Sequence, residues 1–178
     1  MFIPLIILFE YHADYFWYHL PYVNIKNDYK IIFGLANLND FLGYGHFWYD
    51  IMSVFTLPFF NNNYLTIISF IFTFYFINFF IKNFYNSNYF LKIFSLLAVS
   101  FILLVYNDIK DYGSEIQINL IYILISFYII SFYQDRYSNF KKNYITKIIL
   151  FYFFAIIIRT NAVIFLPLII IFLLVNQK

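Results

Sequence analysis

Residues 116–133 read IQINLIYILISFYIISFY, eighteen residues without a charge. An uninterrupted apolar run of 18 or more residues is the length that crosses a lipid bilayer as a helix. Residues 64–81, YLTIISFIFTFYFINFFI, repeat the pattern with a single amide, Asn78. Residues 93–106 form a third, shorter run, and 148–158 and 162–175 form two more. Between these runs lie polar stretches at 82–92, 107–115 and 134–147. The expected fold is therefore an all-α integral membrane protein, a single bundle of about five to six transmembrane segments.

Composition agrees with that class. The chain is 63% hydrophobic and 11% charged, against about 45–50% apolar and about 25% charged in an ordinary soluble domain. The heavy use of Phe, Tyr, Ile and Asn partly reflects what an AT-rich genome encodes. There is no cysteine, which removes disulfides, thiolate metal sites and cysteine nucleophiles.

The N-terminal third is organised differently. Residues 1–9 are apolar but too short to span, and read as the end of a first membrane helix. Residues 10–63 read as an external loop with juxtamembrane helices. Within it, residues 10–50 hold all three histidines, both tryptophans and five of the nine acidic residues. Residues 47–60 are apolar but short and carry Pro58, which suits an interfacial or re-entrant helix.

Charge gives the expected orientation. If successive loops alternate sides, one side carries residues 10–50, 107–115 and Arg159, with four basic residues. The other carries seven basic residues, among them Lys141, Lys142 and Lys147. The basic side is expected in the cytoplasm, so the loop at 10–63 faces outward. Arg159 would then cost about 3 kcal/mol if buried in mid-bilayer. A helix break at Arg159-Thr160-Asn161 lifts it to the outer edge.

Asp14, the loop around Asp108 and Glu115, and Arg159 thus open to one side from three separate regions. A carboxylate there can act as a base toward a hydroxyl, and a guanidinium can grip a phosphate. Plainer roles compete. Asp14 is also read as a turn or cap residue. His12, His19 and Asp14 make three metal-ligand candidates where a site takes three or four. Trp17 and Trp48 are read as interface anchors, Lys141 and Lys142 as a topology signal, and Asn78 as an interhelical hydrogen-bonding or cap residue. No P-loop, dinucleotide-binding motif or zinc-protease motif is present.

Asp14-Tyr15-Phe16-Trp17-Tyr18-His19-Leu20-Pro21, followed by Gly34-Leu35-Ala36-Asn37-Leu38, resembles the first external loop of bacterial GT-C superfamily glycosyltransferases. That group is related to lipid A aminoarabinose transferases and protein O-mannosyltransferases. Gly113-Ser114-Glu115 resembles the group's second acidic motif, with Glu where Asp is usual. Arg159-Thr160-Asn161 resembles a helix break that more often carries Lys. The resemblance implies transfer of a sugar from a polyprenyl-phosphate donor to a lipid or glycan acceptor outside the bacterial inner membrane. It implies catalytic roles for Asp14 and Glu115, and substrate binding by Arg159, His19, Tyr18 and Asn37. No cofactor is called for, with a divalent cation left open, and nucleic acid is not an expected partner. The resemblance also implies a longer protein of which this chain is an N-terminal portion. The competing expectations are a non-catalytic membrane scaffold or truncated remnant, and a transporter of lipid-linked sugar.

Overall fold

The structure, a computed structural model, describes residues 17, 20–28, 37, 47–54, 67–105, 114–135 and 138–176. All regular structure among them is helical, with no strand. Asp14, Tyr18 and His19 lie outside the described residues, as do His12, Asp108 and Gly113.

Two short helices come first, α1 (Leu20–Asp28) and α2 (Phe47–Val54). They pack on each other, with the rings of Tyr22 and Tyr49 5.4 Å apart. Four longer helices follow: α3 (Ile67–Asn86), α4 (Tyr89–Leu104), α5 (Glu115–Gln134) and α6 (Ser138–Ile158). A 3-10 segment, Thr160–Phe165, leads into α7 (Leu166–Val175). α3 and α5 are long and apolar enough to cross a bilayer; α4 and Thr160–Val175 are apolar but shorter.

α3 and α4 form a hairpin. Each buries a stripe at helical spacing, Ser69, Thr73, Phe76 and Phe80 on α3, and Leu91, Ser95, Ala98 and Ile102 on α4. Spacings of three and four residues put such positions on one face. The polar stretch 82–92 is not a loop, because α3 continues to Asn86 and α4 starts at Tyr89. The turn is Ser87 and Asn88 alone, with Ser87 N–H donating to Asn83 at 3.0 Å and Lys92 N–H to Asn88 at 3.0 Å. The lysines did not end the helices, since exposed lysine is a good helix former.

α5 is the centre. It packs on α3, α4 and α6, and ten of its twenty residues are buried. Its aromatic residues lock the layers together, with Phe127 5.3 Å from Phe79 and 6.1 Å from Phe94. α6 buries Ile148, Tyr152, Ala155 and Ile158 on one face.

α6 stops at Ile158. Arg159 is extended, at φ −148° and ψ 117°, and its N–H still bonds to Ala155 at 2.9 Å. The chain then turns back along α5. Phe165 packs on Tyr122 with ring centroids 4.9 Å apart, and Asn176 donates to the Tyr133 hydroxyl at 3.3 Å. The segment after Arg159 therefore runs parallel to α5, in step with it along its length.

Two readings of single residues are corrected by this packing. Trp48 is buried at 1% exposure against Phe72, 5.6 Å away edge-on, so it is a core residue and not an interface anchor. Asn78 is exposed, with no hydrogen bond to a neighbouring helix among the described residues. It sits opposite the Thr73–Phe76–Phe80 stripe, and the register of that stripe decided its face.

Candidate functional site

Glu115 is the first residue of α5. A carboxylate in a first turn is favoured by the positive end of the helix dipole. Ser114 precedes it, buried, without capping α5 through its side chain. Arg159 is held by its backbone at the opposite end of sequence, between the last turn of α6 and the first bond of the 3-10 segment, Ala162 N–H to Arg159 C=O at 3.0 Å. The two side chains meet: Arg159 Nη1 donates to Glu115 Oε1 at 2.8 Å.

The pair lies at the surface. Arg159 is 31% exposed and Glu115 72%. An ion pair this open contributes under about 1 kcal/mol to stability, because water screens it and two long side chains lose freedom. Its interest is chemical. A guanidinium has five N–H donors. Among the described residues Arg159 spends side-chain donors on Glu115 alone. The rest stay available for a second anion.

Two buried residues that the sequence did not single out, on α6 and α5, make hydrogen bonds of their own. Tyr152, buried on α6, donates through its hydroxyl to Ala162 C=O at 3.0 Å and reaches Val163 C=O at 3.4 Å. It thereby ties down the segment that follows Arg159. Gln117, fully buried two residues after Glu115, donates to Ser69 Oγ at 3.0 Å. Its Oε1 has no hydrogen-bond partner among the described residues. A charge-free amide inside an apolar run was the available signal for Gln117. Nothing local marked Tyr152 among nineteen tyrosines.

Of the six sequence-selected residues, the structure brings Glu115 and Arg159 into contact. Asn37 is exposed. Asp14, His19 and Tyr18 fall outside the described residues. No group of three His, Asp or Glu side chains suited to a metal ion forms among the described residues.

A family model described as Domain of unknown function (DUF8201) matches residues 3–178. No curated protein matches the chain, and no solved structure does.

Proposed function

The chain belongs to the DUF8201 family, and from its own residues we propose that it is a multi-pass membrane protein of glycosyltransferase type. Support for the membrane comes from its surface. Ile71 and Phe74 on α3, Leu97 and Leu103 on α4, and Leu168 and Ile171 on α7 are all more than half exposed. Apolar surface on this scale is not left to water in a monomeric soluble domain. The Glu115 and Arg159 end faces outward, and the lysine-rich start of α6 faces the cytoplasm.

The donor is a polyprenyl-phosphate sugar and the acceptor a lipid or glycan hydroxyl. The observation that carries this reading is the Arg159 guanidinium, fixed at a helix break beside Glu115 at 2.8 Å and, among the described residues, with N–H donors left over. Asp14, from the segment that resembles a glycosyltransferase loop, takes the acceptor proton. The acceptor oxygen then attacks the anomeric carbon from the face opposite the phosphate. The bond from that carbon to the phosphate oxygen breaks, and the electron pair leaves with the lipid phosphate. Arg159 stabilises the charge that develops there. Glu115 keeps the guanidinium aimed, and the product is inverted. His19, Tyr18 and Asn37 contribute binding contacts to the sugar.

The test is transfer of labelled sugar from a polyprenyl-phosphate donor by the protein in proteoliposomes, with Asp14→Asn and Arg159→Gln as variants. Loss of transfer in both, with insertion unchanged, supports the reading. Full transfer by Asp14→Asn removes it. The ion pair favours one rival, a brace in a non-catalytic scaffold, because each charge already has an opposite charge beside it. That rival expects stability to respond to these substitutions and no lipid-sugar chemistry in any variant.

A further inference from the structure

α6 has a face that, among the described residues, is covered only along one edge, where the Phe154 ring lies 6.4 Å from Phe72 of α3. Thr146, Ile149, Leu150, Phe153, Phe154 and Ile157 line an open groove of about 550 Å³. Leu150, Phe153 and Ile157 are each more than half exposed. Their spacing of three and four residues makes one stripe, opposite the buried Ile148, Tyr152, Ala155 and Ile158. From Thr146 to Ile157 the helix rises about 17 Å. That is close to one leaflet of hydrocarbon, about 15 Å.

The stripe is headed by charge. Lys142 lies one turn before Thr146 on the same face, exposed, with Asn143 exposed beside it. Neither side chain has a protein partner among the described residues. Thr146 Oγ1 bonds back to the Lys142 carbonyl at 3.0 Å, so Lys142 and Asn143 supply the free donors. Two more ammonium groups on α6 turn toward α5 and away from the stripe. Lys141 stands 5.3 Å over the Phe132 ring and Lys147 5.0 Å over the Tyr128 ring, both on α5. The nearby acid, Asp135, accepts from the Tyr144 hydroxyl at 3.1 Å and does not pair with these lysines.

We infer that this groove seats one anionic phospholipid of the cytoplasmic leaflet, with its phosphodiester at Lys142 and Asn143 and an acyl chain along Thr146 to Ile157. The inference rests on the membrane reading above and not on sugar transfer. The charge of the occupant follows from Lys142, exposed at the head of the stripe and without an ion pair among the described residues. Its apolar part follows from a stripe of one leaflet's length. The site lies at the far end of α6 from Arg159, so it is separate from the proposed donor site. A lipid held there would brace the free side of α6, the helix that Arg159 follows.

The experiment is native mass spectrometry of the full chain in detergent, titrated with phosphatidylglycerol or phosphatidylcholine. Wild type is expected to retain one phosphatidylglycerol and to lose phosphatidylcholine. Lys142→Ala is expected to weaken phosphatidylglycerol about fivefold, the loss expected for one cation near an anionic headgroup. Lys142→Arg is expected to keep it, and so is Lys82→Ala, which removes an exposed lysine on α3 away from the groove. Equal retention of both lipids overturns the inference. So does an equal loss in Lys82→Ala, which would show diffuse surface charge, or a second copy of the chain in place of lipid. Alkaline carbonate extraction of cell membranes tests the premise separately. Release of the protein by carbonate removes the membrane reading, whereas retention with unselective lipid binding removes only the groove.

Discussion

The hydroxyl of Tyr152 reaches the backbone of Ala162 at 3.0 Å, and both residues are buried. This one bond joins the last two turns of α6 to the 3-10 segment and so holds the reversal in which Arg159 sits. Tyr152→Phe keeps the ring and removes the donor, leaving the Ala162 carbonyl without it. A buried acceptor left unmet costs about 1–3 kcal/mol. The variant should unfold at lower temperature in detergent. If the site reading holds, sugar transfer should fall further than stability does, because Arg159 loses its fixed position. An unchanged melting temperature would show that the carbonyl finds another donor.

The Glu115–Arg159 pair makes the opposite forecast. Glu115→Gln and Arg159→Gln should each change stability by less than about 1 kcal/mol, since the pair is open to water. Under the proposed function, transfer should respond strongly to Arg159→Gln and more weakly to Glu115→Gln, which leaves the cation in place. Exchanging the two as Glu115→Arg with Arg159→Glu should restore the coupling measured in a double-mutant cycle and leave transfer absent. Restored transfer in the exchanged protein would mean that the pair is a brace.

Gln117 offers a test with an unusual sign. Its amide donates to Ser69 while its Oε1 has no partner among the described residues. Ser69→Ala removes the one partner and should destabilise by about 1–3 kcal/mol. Gln117→Leu with Ser69→Ala replaces both polar groups by apolar ones and should be close to neutral or stabilising. Chemical denaturation of the three proteins would decide, and a double variant less stable than Ser69→Ala alone would refute the account.

Burial separates two leucines that sequence cannot. Leu124 on α5 is 1% exposed and Leu150 on α6 is 59%. Leu124→Ala should cost about 2–5 kcal/mol through the lost contacts and the cavity left behind. Leu150→Ala should cost far less in the protein itself. Comparable melting temperatures for the two would contradict the placement of α5 at the centre.

Burial pushes the Tyr144 phenol above its ordinary value, and the hydrogen bond to Asp135 and that residue's charge push the same way. The folded chain therefore keeps this proton at a pH where the unfolded chain has lost it. The stability linked to it is intact below about pH 10 and declines as pH rises beyond that point. Wild type should lose stability relative to Tyr144→Phe above pH 10 and not below it. A difference that stays flat through that range would remove the link.

Much of the fold was legible because apolar runs are a one-dimensional property. Residues 116–133 announce a long apolar helix without reference to any neighbour, and α5 spans Glu115–Gln134. The break after residue 158 was legible for the same reason, since an arginine between two apolar runs has a high cost that a change of backbone direction relieves. The stretch 82–92 misled because polarity was read as loop. Helix propensity there overrode it, and two residues sufficed for the turn.

Sequence therefore carried the helical class, the approximate places of the long helices and the two ends of an ion pair. It did not carry which ends meet. That Glu115 touches Arg159 across 44 residues depends on the return of the chain along α5, in step from Phe165 at Tyr122 to Asn176 at Tyr133. The face that Trp48 and Asn78 turn to their surroundings depends likewise on which stripe each helix buries. Periodicity names the residues that share a face. Packing against a particular neighbour settles whether that face looks inward, because burial is a property of two surfaces and not of one.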